Sequence, residues 1–243
     1  MGDDPETNVV DRWGFCHEVP NLGLLGASVM GTSGAHNPTL TAQALAWRTA
    51  EHVAEAAWPL LQANGGRAFL LCTTLRAVDR IAARLQQLME RDATPFPLLI
   101  QGSSSRRALL DGFRSAGNAV LVGSVSFWEG IDIRGEALSL VVIDKLPFAP
   151  PDDPIVEAKI RYLRRCGRNP FNEYQLPEAV MLLKQGAGRL IRDEHDRGVL
   201  MILDERVLTK SYGRTVLASL PPFARTRNEA DAIEFLTRRR KVA

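Results

Sequence analysis

Apolar positions along the chain follow two different spacings. Short uninterrupted apolar runs predict buried strands, whereas stretches with apolar residues three or four positions apart predict amphipathic helices. Because the two kinds of segment alternate, we expect an α/β fold with a parallel sheet covered by helices on both faces. The predicted strands are 68–72, 97–100, 119–122, 139–143 and a last central strand at 199–203, and the predicted helices are about 39–62, 76–90, 104–113, 153–166 and 176–188.

The first 40 residues lack this alternation. They contain Pro5, Pro20 and Pro38 among scattered glycines, a composition typical of irregular chain. We therefore predict an irregular leading segment at 1–40, which suggests truncation of a longer protein, followed by one α/β domain at 41–243. A chain of 243 residues with 45% hydrophobic content is long enough for one such core.

Charge and cysteine content limit the classes of function. The formal net charge is +2, so any nucleic-acid contact has to come from a local surface. The N-terminus is acidic and no run of 18 apolar residues occurs, so we expect a cytoplasmic protein without a membrane span. Cys16, Cys72 and Cys166 are too far apart for a disulfide framework or a Cys-x-x-Cys metal site, and Cys72 is predicted to be a buried core thiol.

The segment 185–192, Gln-Gly-Ala-Gly-Arg-Leu-Ile-Arg, carries the most specific chemistry of the chain. Arg189 and Arg192 share one face at helical spacing, and the glycines before them allow a phosphate-bearing surface to approach the backbone. Guanidinium groups bind phosphate oxygens bidentately and are always charged. The alternative interpretation is a solvated helical face with two surface arginines.

A second segment, 119–132, reads Ala-Val-Leu-Val-Gly-Ser-Val-Ser-Phe-Trp-Glu-Gly-Ile-Asp. We predict a turn at 123–126 that leaves the C-terminal end of a strand, where ligands of open α/β sheets bind. Together with 185–192, this segment resembles motifs V and VI of superfamily 2 helicases. Its Phe-Trp-Glu-Gly-Ile-Asp form and the Lys-Leu-Pro-Phe at 145–148 are similar to the DinG and YoaA branch of the XPD-like DNA helicases. The similarity covers about residues 66–221.

The resemblance implies the second RecA-like lobe of a helicase, whose ATP lies between two lobes. Arg189 and Arg192 would be arginine fingers that reach the γ-phosphate. Gln185 would place the γ-phosphate or the attacking water, or would couple motif VI to the DNA side.

Four further residues are expected at the nucleotide. Gly130 and Asp132 of motif V would meet the ribose edge or bridge to motif VI. Glu129 would either contact the nucleotide or pair with an arginine, and Gly188 would allow the phosphates close to the backbone.

The resemblance also implies a grip on single-stranded DNA at the strand ends. Thr73 and Thr74 follow the strand 68–72 at the position of motif IV, and hydroxyls and amides at such turns bind phosphates. Taken singly, each turn residue is more typical of a helix cap, and Trp128 either stacks on a base or anchors its own loop. The expected DNA contacts are Thr73, Thr74, Gln101, Ser124, Ser126 and Trp128.

Half of a nucleotide site is missing from the sequence. No Gly-x-x-x-x-Gly-Lys-Ser/Thr loop is present to hold phosphates. Asp144 and Asp204 are interpreted as ordinary strand ends, and the acidic stretch 193–196 as a solvated turn because it precedes its strand. ATP and Mg²⁺ would therefore be bound mainly by a first lobe outside this chain. The 4Fe-4S cluster usual in relatives would belong only to the parent protein, and no metal site is predicted here.

We therefore expect the second motor lobe of an ATP-dependent 5′–3′ DNA helicase that acts in DNA repair, cytoplasmic and nucleoid-associated, and inactive as an isolated chain. Its partners would be single-stranded DNA and the N-terminal RecA-like lobe of the same protein. The alternatives are a free-standing non-catalytic module that binds DNA or a protein, and a complementing subunit whose first lobe is a separate chain. The basic residues 238–241 are interpreted as a frayed, solvated end.

Overall fold

Parallel strands form the centre of the molecule. The computed structural model describes residues 39–124, 127, 138–149, 153–188, 190–191 and 196–242, and it describes side chains between 50 and 238 of these ranges. The strands are β1 (Ala68–Cys72), β2 (Leu98–Ile100), β3 (Val120–Ser124), β4 (Leu140–Ile143) and β5 (Val199–Ile202). They pair in parallel in the order β2-β3-β1-β4-β5.

Helices connect the strands, as the alternating pattern predicts. The helices are α1 (Thr39–Asn64), α2 (Leu75–Arg91), α3 (Arg106–Ala116), α4 (Pro154–Arg165), α5 (Leu176–Ala187), α6 (Arg206–Thr209), α7 (Gly213–Ser219) and α8 (Glu229–Val242), and one π-helical turn (Phe171–Gln175) leads into α5.

The central strand β1 is buried on both faces. Leu70 and Cys72 pack with apolar residues of α1, α2 and α8, whereas Phe69 and Leu71 pack with residues of α3, α5 and α7 on the other side. Successive strand residues point to opposite faces, so an unbroken apolar run is what a sheet between two helical layers requires. The predicted α/β class and the burial of Cys72 are confirmed.

A buried asparagine closes the edge of the sheet at which the strands begin. Asn64 Nδ2 donates to the carbonyl oxygens of Gly66 (2.5 Å) and Arg67 (3.2 Å), and its Oδ1 accepts the Ser139 hydroxyl (2.8 Å). Gly66 has φ +80°, and a Cβ there would lie 2.0 Å from the Asn118 carbonyl oxygen. These contacts join the segments that lead into β1, β3 and β4.

Two strand predictions need correction. The segment 123–126 was predicted as a turn, but Gly123 and Ser124 continue β3 because they pair with Leu71 and Cys72 of β1. The strand predicted at 199–203 as central lies at the edge of the described sheet, where β5 pairs with β4 alone. Both errors concern pairing, which the local apolar pattern does not encode.

The C-terminal segment also differs from expectation. Residues 238–241 belong to α8 rather than to a frayed end, because the completely buried Leu236 packs that helix into the core beside α1. At the other end, α1 begins at Thr39, and 1–38 lie outside the described residues. Within the described ranges, no helix is both long and apolar enough to span a membrane.

Candidate functional site at the two edges of the sheet

The β1–α2 turn is held by a buried carboxylate. Thr73 donates both its backbone N–H and its hydroxyl to Asp144 Oδ2, each at 3.2 Å. Asp144 follows the last residue of β4 and is 5% exposed. The hydroxyl proton of Thr73, a predicted DNA contact, is therefore committed inside the protein.

Thr74 is placed differently from its neighbour. It is the N-cap of α2, where its Oγ1 accepts the Ala77 N–H at 3.1 Å, and it is exposed. A capping hydroxyl uses a lone pair and keeps its own proton. Of the two adjacent threonines, Thr74 is the one that presents a hydroxyl donor to solvent.

Gln101 and Ser124 meet at the same edge of the sheet. The Ser124 N–H, at the end of β3, donates to Gln101 Oε1 at 2.6 Å, and Gln101 N–H continues the pairing to the Val122 carbonyl. Ser124 is only 8% exposed. The structure thus brings Thr73, Thr74, Gln101 and Ser124 together where β1, β2 and β3 end, as the sequence predicts, although Ser124 is largely covered.

The carboxyl group of Asp144 is buried, and burial disfavours its ionised form. Burial raises the pKa of this carboxyl to about 6, against the hydrogen bonds from Thr73 and the attraction of Lys145. Its Oδ1 accepts the Lys145 N–H at 2.6 Å. Burial in turn lowers the pKa of the Lys145 ammonium, while Asp144 and Asp204 partly offset that effect.

A second buried acid holds the next strand end. Asp204 is 6% exposed, and its Oδ2 accepts the Leu146 N–H at 2.7 Å. Arg206 binds this carboxylate bidentately, with Nε 2.8 Å from Oδ1 and Nη2 2.5 Å from Oδ2, and its guanidinium lies 5.2 Å from the centre of the Phe148 ring. The Lys145–Phe148 segment is therefore fixed from both β4 and β5.

The sequence pattern indicates only ordinary strand ends at Asp144 and Asp204, whereas the structure shows two buried carboxylates beside the candidate site. Asp144 and Asp204 each end an apolar run, and that pattern alone does not distinguish a solvated strand end from a buried acceptor. Among the described residues, no cluster of three or more His, Cys, Asp or Glu side chains is arranged to hold a metal ion.

The described residues of the motif VI segment, 185–188 and 190–191, lie at the opposite edge of the sheet. Leu190 packs against Gly198, where a Cβ would come 2.4 Å from the leucine Cδ1 and 2.7 Å from the Ser139 carbonyl oxygen. Gly198 and Ser139 immediately precede β5 and β4. The end of α5, with Gln185 and Gly188, therefore lies where the strands begin, away from Thr73, Gln101 and Ser124.

Gln185 has an unusual side chain for its position. Its Oε1 is buried and has no hydrogen-bond partner among the described residues, although buried amide oxygens are nearly always paired. Such an oxygen can accept from an arginine, a water or another N–H or O–H donor. Gly188 follows the last turn of α5, and its N–H donates to the Lys184 carbonyl at 2.8 Å.

The remaining predicted site residues lie outside the described residues. They are the arginines Arg189 and Arg192 and the motif V residues Ser126, Trp128, Glu129, Gly130 and Asp132.

Comparison with known proteins shows the family of the chain. Residues 57–223 match the family model described as helicase C-terminal domain. A second model, described as GMC oxidoreductase, matches residues 1–46, most of which lie outside the described part of the chain.

Curated relatives are helicases as well. The chain is 52% identical over 178 residues to the ATP-dependent DNA helicase YoaA of Escherichia coli K12, which covers 73% of this chain and 27% of that protein. It is 41% identical over 180 residues to the ATP-dependent helicase DinG of Mycobacterium tuberculosis, and this match covers 74% of this chain and 26% of that protein. The chain thus spans about a quarter of the length of these relatives.

The S. tokodaii Xpd4 structure matches with a TM-score of 0.50 at 13% identity, over 72% of this chain and 34% of that one, which supports the fold alone. The chain belongs to the helicase C-terminal domain family, and its relatives at 41–52% identity include YoaA and DinG helicases.

Proposed function

We propose that this chain is the second motor lobe of an ATP-dependent 5′–3′ DNA helicase that acts in DNA repair in the cytoplasm, at the nucleoid. It grips single-stranded DNA at the edge where the strands end. At the opposite edge it supplies Arg189 and Arg192 to ATP and Mg²⁺ held mainly by an N-terminal RecA-like lobe. A 4Fe-4S cluster would belong to the parent protein alone.

One observation supports this proposal: the described members of the two predicted sets lie at opposite edges of one sheet. Gln185 and Gly188 lie where β4 and β5 begin, whereas Thr73, Thr74 and Gln101 lie where β1 and β2 end. A motor lobe needs this separation, because it contacts the nucleotide and the DNA at the same time and the two sets of contacts cannot occupy the same surface. A module that only binds DNA or a protein does not need functional residues at a second edge.

The nucleotide-facing edge has chemistry that fits ATP hydrolysis. The unpaired Gln185 Oε1 is an acceptor, so it suits an attacking water or an arginine N–H rather than a phosphate oxygen. We propose that this oxygen gains its partner when the two lobes close on ATP. Arg189 and Arg192 then complete the site, while Gly130, Asp132 and Glu129 meet the nucleotide or bridge to motif VI.

The DNA-facing edge has the exposed hydroxyl of Thr74 and, around it, the polar residues that follow or end β1, β2 and β3. Thr74 retains its proton for a phosphate oxygen, since its lone pair caps α2. Thr73, Gln101 and Ser124 shape the surface around it, and Ser126 and Trp128 extend the grip from motif V. Contacts of this kind follow a backbone and do not read base sequence.

Reconstitution tests the proposal. The N-terminal lobe of the parent protein, produced separately, should gain DNA-stimulated ATPase when this chain is added. Arg192→Ala should remove the gain, because arginine fingers contribute about 10³–10⁵ in rate to related phosphoryl transfers. Arg214→Ala, which changes an exposed arginine of α7, is the matched control and should keep the gain.

Other outcomes favour the alternatives. If ATPase activity does not rise but the chain binds single-stranded DNA, the free-standing DNA-binding module is favoured. Arg189-dependent turnover by the chain alone would contradict the expectation that it is inactive by itself.

A further inference from the structure

Asp144 joins two loops at the edge where the strands end. It directly follows β4, and its two oxygens bind the turn after β1 and the segment after β4. Thr73 and Asp144 are 71 positions apart in the sequence. A single carboxylate therefore sets the position of the motif IV turn relative to the Lys145–Phe148 segment.

We propose that Asp144 is a positioning residue for single-stranded DNA binding: it fixes Thr73, so that Thr74 and the start of α2 stay aligned with the other strand ends. This inference rests on the proposed DNA-binding function of this edge. The carboxylate does not touch DNA itself, because it is buried and already fully engaged.

The number of donors around Asp144 requires a carboxylate. Oδ2 accepts the Thr73 N–H and hydroxyl, and Oδ1 accepts the Lys145 N–H. An asparagine of the same shape has one oxygen and one NH₂ group, so one of the two backbone N–H groups would face another donor. A buried N–H without an acceptor is costly, and the turn would move to relieve it.

Burial raises the pKa of the Asp144 carboxyl to about 6, and the hydrogen bonds from Thr73 and the neighbouring charge of Lys145 oppose this rise. Lys145 lies beside the carboxyl, Arg206 contributes attraction from the β5 side, and the buried Cys72 thiol is the other titratable group that it influences. Asp204 and Arg206 form their own bidentate pair and brace Leu146. The Thr73 turn is therefore held through Asp144, whereas the Lys145–Phe148 segment has a second support.

The test is a double-mutant cycle on DNA binding. Anisotropy of a fluorescein-labelled oligo(dT) is measured with the wild-type chain, Asp144→Asn, Thr73→Val and the double variant. We expect Asp144→Asn to weaken binding about tenfold, and only about threefold in the Thr73→Val background, because contacting residues are coupled. Thr73→Ser, which keeps the hydroxyl that Asp144 binds, should bind oligo(dT) more tightly than Thr73→Val. Asp111→Asn, at an exposed acid of α3, should change nothing.

Amide hydrogen exchange provides a second test of the proposal that does not depend on DNA binding. In Asp144→Asn the Thr73 amide should exchange at least about tenfold faster, while Phe69 in β1 and Val122 in β3 stay protected and show that the sheet is intact. Wild-type affinity in Asp144→Asn, losses that simply multiply, or unchanged Thr73 exchange would each overturn the inference. If the wild-type chain itself does not bind oligo(dT), the proposed DNA function fails, and exchange alone still decides whether Asp144 holds Thr73.

Discussion

The two edges of the sheet are stabilised by different chemistry. Where the strands begin, the neutral amide of Asn64 and the backbone of Gly66 close the structure, and the permanently charged Arg67 guanidinium donates to the Asn64 carbonyl oxygen. Where the strands end, the carboxylates of Asp144 and Asp204 hold the loops. The first edge depends on close packing, and the second on charges buried at an energetic cost.

This difference has consequences for function. The edge where the strands begin is held by neutral groups and by an arginine, which stays charged at every ordinary pH; this is the edge for which we propose nucleotide contacts. The edge where the strands end is held by hydrogen bonds to carboxylates, and it is the edge for which we propose DNA contacts. It also responds to pH, since Asp144 titrates at about 6.

The largest expected effect on stability comes from the packed edge. Gly66→Ala places a Cβ 2.0 Å from the Asn118 carbonyl oxygen in a residue with φ +80°, so we expect a loss of at least about 3 kcal/mol in the free energy of unfolding. Gly117→Ala is the matched control. It also has positive φ but open space around the new methyl group, so strain alone should cost about 1 kcal/mol.

Urea denaturation of both variants measures the difference. Equal losses of unfolding free energy in Gly66→Ala and Gly117→Ala would show that the structure around Gly66 relaxes to accept the methyl group. Close packing would then not distinguish this edge from the edge held by carboxylates.

The next effect is a pH dependence at the charged edge. The pKa of Asp144 is raised from 3.8 to about 6 by burial, so its stabilising contribution is complete below pH 3.8 and is lost as the pH rises through 6. The shift corresponds to about 3 kcal/mol. The stability of wild type minus that of Asp144→Asn should therefore fall between pH 4 and pH 7.

Asp92 provides a comparison of opposite sign. Hydrogen bonds from Arg91 and Trp58 lower its pKa to about 2, so its contribution is present above pH 3.8 and is lost as the pH falls toward 2. The stability of wild type minus that of Asp92→Asn should stay constant between pH 4 and pH 7. A flat difference for Asp144→Asn as well would contradict the raised pKa of Asp144.

The sequence predicts the layers of this fold better than their pairing. Apolar runs such as Ala68–Cys72 identify buried strands because both faces are covered. The extension of β3 to Ser124 and the edge position of β5 depend on partner strands far along the chain, so no local pattern could give them.

The sequence also predicts only part of the candidate site. Thr73, Thr74 and Gln101 were predicted from their places after strands, and the structure brings them to one edge. The contact between Thr73 and Asp144 could not be predicted, because it links residues that are neighbours only after folding. The arginines Arg189 and Arg192 remain predictions.

The smallest effect separates DNA binding from helix capping at Thr74. Aspartate caps helices at least as well as threonine and favours the helix dipole, so Thr74→Asp should leave the free energy of unfolding within about 0.5 kcal/mol of wild type. The new charge would instead repel phosphates, and oligo(dT) affinity should fall about fivefold to tenfold at low salt, with a smaller loss at high salt.

Ser105→Asp makes the same exchange at a matched cap. Ser105 is exposed and caps α3 by accepting the Ala108 N–H at 3.2 Å, but its helix follows β2, two strands away from β1 in the sheet. Its effect on affinity should be clearly smaller, because a screened charge acts over about 10 Å. Equal losses would mean that DNA senses the net charge of the whole edge. A loss confined to Thr74→Asp would place the phosphate backbone at the start of α2, beside the turn that Asp144 holds.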